Sequence, residues 1–137
     1  DWARAGAGMP AGLSWFLAAS FFNGIVIEIG RKIRAPEQEE AGVETYTFLW
    51  GRPIAVASWL GAMAATLACA FMAAQAIVFA TPPAIVMCLL FFSSAILGGF
   101  FIRTARANLA RRFELCSGLW SLALYLTLGL VPLLAKR

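Results

Sequence analysis

Between Pro53 and Ile102 the chain runs for 50 residues without one charged side chain. Roughly 20 apolar residues cover the ~30 Å hydrocarbon core of a bilayer as a helix, whereas 50 residues at about 1.5 Å each would overshoot it more than twofold. The segment must cross, turn and cross back. The turn falls at Thr81-Pro82-Pro83, where two prolines remove backbone donors and push the residues before them out of helical geometry. Two further uncharged runs, 5–27 and 115–135, hold 23 and 21 residues and suffice for one crossing each.

The reading is an all-α integral membrane helical bundle with four transmembrane helices over about 11–30, 53–79, 84–102 and 115–134, in a single membrane domain spanning 1–137. Helices are preferred over a β-barrel because the runs are continuously apolar, not alternating, and Ala, Leu and Gly outnumber β-branched residues. The long second span is expected to tilt or to project into the headgroups. A share of 61% hydrophobic against 13% charged residues and a mean hydropathy of +0.79 agree with a membrane location.

Composition also narrows the chemistry. With no histidine, the usual general base and soft-metal ligand are missing, which argues against a catalytic triad or a zinc site. Cys69, Cys88 and Cys116 stand far apart in apolar runs, with no paired spacing, and read as small buried apolar residues. No nucleic-acid partner is expected. The chain opens on Asp1 without a signal-peptide pattern, and is read as part of a longer protein.

If the spans alternate, the loops 28–52 and 103–114 share one face. That face carries eight of the basic residues (Arg31, Lys32, Arg34, Arg52, Arg103, Arg106, Arg111 and Arg112) against Arg4, Lys136 and Arg137 on the other. The positive-inside rule therefore puts both loops in the cytoplasm, with a bacterial inner membrane as the expected site. Trp50 and Trp120 are expected at headgroup level. In the second span Ala57, Gly61, Ala65, Cys69 and Ala73 repeat a small residue at every fourth position, which predicts a helix-packing seam.

Nine of the eighteen charges crowd into the 25 residues from Glu28 to Arg52. Continuing the first helix past residue 28 puts Gly24, Glu28, Arg31 and Lys32 on one face, with Ser20 a turn earlier. The small residues leave a recess beneath a carboxylate and two cations. One reading is a site for a phosphorylated, lipid-like molecule: Mg²⁺ on carboxylate oxygen, Arg31, Lys32 and Arg34 on phosphate oxygens, and an apolar tail in the recess. The plainer reading is an i,i+4 pair of Glu28 with Lys32, arginines on anionic lipid headgroups and solvated glutamates. Asn23 either lines the recess or bonds a neighbouring helix. The cluster from Arg103 to Arg112 reads as a positive-inside anchor.

The segment Glu28-Ile29-Gly30-Arg31-Lys32-Ile33-Arg34-Ala35-Pro36-Glu37, continued by Gly42-Val43-Glu44-Thr45-Tyr46 and Gly51, resembles the second acidic motif of the intramembrane aromatic prenyltransferases of the UbiA superfamily. Cys116-Ser117-Gly118-Leu119-Trp120 and Tyr125-Leu126-Thr127-Leu128-Gly129 likewise resemble the last helix of bacterial members. The resemblance implies a nine-helix bundle of which this chain forms the C-terminal part. The N-terminal half would supply the other acidic motif. It further implies Mg²⁺, an isoprenoid diphosphate and a lipid-soluble acceptor, as in the making of quinones. By the same resemblance Glu28 takes the first acidic position and Lys32 stands where the second carboxylate is expected. Glu39 and Glu40 then join Glu28 as candidate metal ligands, with Glu37 a further source, and Ser20, Asn23, Gly24 and Tyr46 are expected to line the cavity. The fragment alone is expected to be inactive.

Two other classes stay open on the residues alone: a homodimeric four-span small-molecule transporter with Glu28 as coupling carboxylate, and a structural subunit whose loop docks a cytosolic partner.

Overall fold

The computed structural model describes residues 6, 8, 10, 12–76, 81–130 and 133. Its helices are α1 (Leu13–Arg31), a short α2 (Tyr46–Trp50), α3 (Arg52–Ala76), α4 (Thr81–Arg103) and α5 (Ala107–Tyr125), the last continued by a π-helical turn over Leu126–Leu130. A 3₁₀ turn, Pro36–Gln38, interrupts the loop after α1, and no strand occurs among the described residues. Four helices are long and apolar enough to cross a membrane. The protein is an all-α integral membrane bundle.

The long helices close a ring: α3 packs on α1 and α4, and α5 packs on α4 and returns to α1. The return sets the charged end of α1 against the last helix. The face of α1 turned inward carries Ala19, Asn23, Val26 and Ile29, spaced by three or four residues. Phe21 and Leu17 point out of the bundle, 66% and 57% exposed.

α3 is the most buried of the four. Its inward seam runs Ala55, Trp59, Ala62, Thr66, Cys69 and Ala73, alternating steps of four and three, so that small residues admit neighbouring backbones at nearly every turn. The expected every-fourth-residue seam is only half right. At 3.6 residues per turn a step of four drifts about 40°, so the row begins outside and ends inside. Ala57 and Gly61 are exposed, Ala65 is half-buried, and Cys69 and Ala73 are buried.

Two boundaries also differ. Pro82 and Pro83 lie within the first turn of α4, where the backbone N–H groups lack intrahelical partners in any case, so this helix starts at Thr81 and not at 84. The expected ends of the second and fourth spans, near 79 and 134, lie outside the described residues. The loop placed at 103–114 shrinks to three residues: α5 begins at Ala107, so Arg111, Arg112 and Glu114 are helical. Counting charges located the apolar stretch and missed the helix start, because Ala, Leu, Arg and Glu all propagate a helix well. Trp120 is fully buried in the bundle instead of sitting at headgroup level; Trp50 is 42% exposed.

Candidate functional site

A groove of about 540 Å³ runs along α1 and is lined by Ser20, Phe21, Gly24, Ile25, Glu28, Ile29, Tyr46 and Trp50. Ser20, Gly24 and Glu28 succeed one another at steps of four on one helical face. Across from them stand Tyr46 and Trp50, one turn apart on α2, their rings stacked with centroids 4.4 Å apart and planes at 17°. The walls are apolar toward the bundle's middle and charged at one end.

Local chemistry puts α2 there. The Tyr46 N–H donates to the Lys32 carbonyl at 3.1 Å, which ties the start of α2 to the end of α1. Thr45 caps α2 by accepting from the Phe48 N–H at 3.2 Å, and Gly51, at φ +81°, ends it in a conformation that disfavours other residues. Between them the loop is folded, not extended. The Ala35 N–H donates to Gln38 Oε1 at 3.2 Å, and the Arg34 N–H donates to Thr47 Oγ1 at 3.1 Å. The hydroxyls of Thr45 and Thr47 donate to Glu39 Oε1 at 3.2 and 3.3 Å. Ile33 and Ala35 are wholly buried beneath this polar network.

At the charged end Lys32 Nζ lies 2.7 Å from Glu28 Oε1 and 5.3 Å from the centroid of the Tyr46 ring. Both side chains keep nearly half their surface, 44% and 46%. The carboxylate, first as a hydrogen-bond acceptor and then as a charge, raises the Lys32 ammonium above the usual lysine value. Arg31, in the last turn of α1, is exposed beside them.

Of the residues expected at the site, the structure brings together Ser20, Gly24, Glu28 and Tyr46, with Lys32 over the last two. Asn23 belongs elsewhere. It is 2% exposed and its Oδ1 accepts from the Ser121 hydroxyl at 3.1 Å, so it joins α1 to α5 and does not line the groove. Arg34 borders a second hollow of about 470 Å³ with Gln38, Glu40, Val43 and Thr45. Glu39 and Glu40 border a third, of about 500 Å³, with Glu44 and Phe48. Among the described residues no group of three histidine, cysteine or acidic side chains is placed to hold a metal ion. Sequence reasoning missed Trp50, Ile25 and Ile29 as lining residues. The spacing of Tyr46 and Trp50 within Tyr-Thr-Phe-Leu-Trp was the available signal, since residues four apart share a helical face.

No protein-family model, no curated protein and no solved structure matches this chain.

Glu28 is the one carboxylate that lines the groove. A single carboxylate cannot form an all-protein cage. Mg²⁺, however, commonly binds through one or two carboxylates plus the phosphate oxygens of a ligand, and keeps several waters. Glu28 fits that shared role.

Proposed function

We propose that this chain is the C-terminal part of a UbiA-like membrane prenyltransferase, which moves an isoprenoid group from its diphosphate to an aromatic or similarly electron-rich, lipid-soluble acceptor. The observation that carries the reading is the groove itself: Ser20, Gly24, Glu28 and Tyr46 line one hollow that is apolar along α1 and ends in a carboxylate with two cations beside it. Such a hollow suits a molecule with a greasy tail and a multiply charged head. The charged loop then faces the cytoplasm, as the basic residues on that side favour, and the N-terminal half of the parent enzyme closes the open flank with further helices.

In this reading Phe21, Ile25 and Ile29 hold the tail against α1, and Ser20 and Gly24 leave it room. Arg31 and Lys32 bind oxygens of the diphosphate, Arg31 with the option of a bidentate fork. As the allylic C–O bond breaks, negative charge gathers on the leaving diphosphate, so fixed cations stabilise the transition state more than the ground state. Glu28, together with oxygens of the diphosphate, would hold Mg²⁺, which would supply further charge neutralisation. Tyr46 and Trp50 shield the head of the groove from water with an aromatic wall.

An exporter with Glu28 as coupling carboxylate gains no comparable support. Glu28 stands three residues from the end of α1, paired to Lys32, and not at mid-membrane where a transported ion needs it.

The test is Glu28→Ala in the full parent enzyme, assayed for transfer from geranyl or farnesyl diphosphate to an aromatic acceptor. A loss of about 100-fold or more is expected, the scale of removing one group that stabilises developing charge. Unchanged Mg²⁺-dependent turnover overturns the proposal.

A further inference from the structure

We infer that the connection between α4 and α5, with the outer face of α5 beneath it, binds one anionic phospholipid: its phosphate lies among Arg103, Arg106, Arg111 and Arg112, and an acyl chain runs along α5 past Gly118. The site shares no residue with the groove along α1.

The connection is short and tightly bonded. Thr104 is tied to the end of α4, its N–H and its hydroxyl both donating to the Phe100 carbonyl, at 2.8 and 3.0 Å. The Arg106 N–H donates to the Thr104 carbonyl at 2.9 Å, and the Arg106 carbonyl accepts from the N–H groups of Leu109 and Ala110 at 3.0 and 3.1 Å. Arg103, the last residue of α4, and Arg106, the N-cap of α5, are thus held close together, and Arg111 and Arg112 follow early in α5. All four are exposed, and none makes an ion pair among the described residues. Glu114 is the one acidic residue in the stretch 103–114. The start of α5 brings no relief: no side chain caps it and no acidic residue stands in its first turn. The positive end of the helix dipole therefore adds to the arginines where an acidic first turn would offset it.

What lies beneath the arginines selects the kind of anion. α4 and α5 are both long and apolar enough to cross a membrane, so their connection sits where hydrocarbon gives way to headgroups. Arg111, Leu115, Gly118 and Leu122 succeed one another at steps of four, three and four on one exposed face of α5. Leu115 and Leu122 are 60% and 57% exposed, and between them no atom lies within 4 Å of where a Cβ on Gly118 would stand. Gly118 thus leaves a dip in an apolar face, about 10 Å along the helix from Arg111. A soluble anion engages the arginines but not the leucines, and a lipid without net charge engages the leucines but gains little from the arginines. A phospholipid with net negative charge uses both: guanidinium forks take its phosphate oxygens, and its chain fills the dip.

Native mass spectrometry of the full 137-residue chain in detergent reads the affinity for the first bound lipid, with dioleoyl phosphatidylglycerol and dioleoyl phosphatidylcholine as probes. Wild type is expected to prefer phosphatidylglycerol by roughly 30-fold, and Arg111→Gln combined with Arg112→Gln to remove most of that preference, the fold-change of some 2 kcal/mol for two arginines at a headgroup. Gly118→Leu, which fills the dip and keeps every charge, is expected to weaken phosphatidylglycerol about fivefold, the scale of one methylene withdrawn from apolar contact. Gly61→Leu, on an exposed face of α3, should leave the affinity as it is. Glycerol phosphate at the same concentration should not displace the lipid. Equal affinity of wild type for the two lipids overturns the inference, as does an equal effect of Gly118→Leu and Gly61→Leu, since attraction of headgroups to surface charge alone does not sense the dip. Displacement by glycerol phosphate would make the arginines a site for a free anion, and lipid-independent dimers that vanish with Arg111 and Arg112 would make them a contact between two copies of the chain; either result overturns the lipid site.

Discussion

The indole N–H of Trp59 donates to the hydroxyl of Ser117 at 2.9 Å, and this bond joins α3 to α5 at the level of Gly30 on α1. Ser117 also lies within reach of the carbonyls of Phe113, at 2.8 Å, and Val26, at 3.4 Å, so three helices meet at one oxygen. Gly30 makes the meeting possible. A Cβ there would fall on Ser117 Oγ and lie 3.2 Å from the Trp59 nitrogen. Gly30→Ala is expected to destabilise the bundle by about 1–3 kcal/mol, the range for overpacking. Ser117→Ala, which strands a buried indole donor, is expected to cost a similar ~1–3 kcal/mol. Because loss of the hydroxyl also makes room for the new methyl, the double variant should cost less than the two singles together. Thermal unfolding followed by tryptophan fluorescence in one detergent checks all three; strict additivity would separate Gly30 from this contact.

The seam of α3 predicts opposite fates for adjacent positions. Ala62 is buried, whereas Gly61 has open space where a Cβ would go. On α4 a Cβ at Gly98 would stand 2.6 Å from Val56 Cγ1, while Gly99 faces open space. In this chain Ala62→Leu and Gly98→Leu should each lower stability by about 1–3 kcal/mol, and Gly61→Leu and Gly99→Leu should leave the thermal midpoint nearly unchanged. Equal shifts for Gly61 and Ala62 would invert the assigned faces of the helix.

How far the fold was legible follows from what each signal measures. The absence of charge reports where hydrocarbon can be, so four crossings were plain from Pro53–Ile102 and its two shorter counterparts. It does not report where a helix begins, which is why Arg111 and Arg112 were expected in a loop. The step of four along one helix placed Ser20, Gly24 and Glu28 on a common face without knowledge of the neighbours. What lies opposite a face is tertiary information: nothing local told that Asn23 finds Ser121, 98 positions away, or that Glu39 turns to Thr45 and Thr47.

Glu39 offers a direct contrast with Glu28. Its carboxylate accepts from two threonine hydroxyls, which in turn accept from the amides of Arg34 and Phe48, so it orders the loop. Glu39→Ala is expected to speed hydrogen exchange at the Arg34 and Phe48 amides by about tenfold, the equivalent of one lost hydrogen bond of roughly 1–1.5 kcal/mol. In the parent enzyme the variant should keep most of its activity where Glu28→Ala does not. A loss in Glu39→Ala that excess Mg²⁺ restores would instead make this carboxylate a ligand.

Arg31 separates recognition of the head from recognition of the rest. It is exposed at the last turn of α1, one residue from Lys32 and three from Glu28, and it makes no ion pair among the described residues. Reversing its charge leaves the apolar groove untouched but replaces an attraction for diphosphate with a repulsion. Arg31→Glu in the parent enzyme should therefore raise the KM for the prenyl diphosphate by about tenfold, some 1.4 kcal/mol, with the acceptor KM little changed. Salt supplies the control. Exposed charges are screened over a Debye length of about 8 Å at physiological ionic strength, so wild-type KM for the diphosphate should climb with added salt. In Arg31→Glu the climb should flatten or reverse, because salt then screens a repulsion where it had screened an attraction. A KM that rises equally for both substrates, or a salt slope identical to wild type, would place Arg31 outside the head-binding end of the groove.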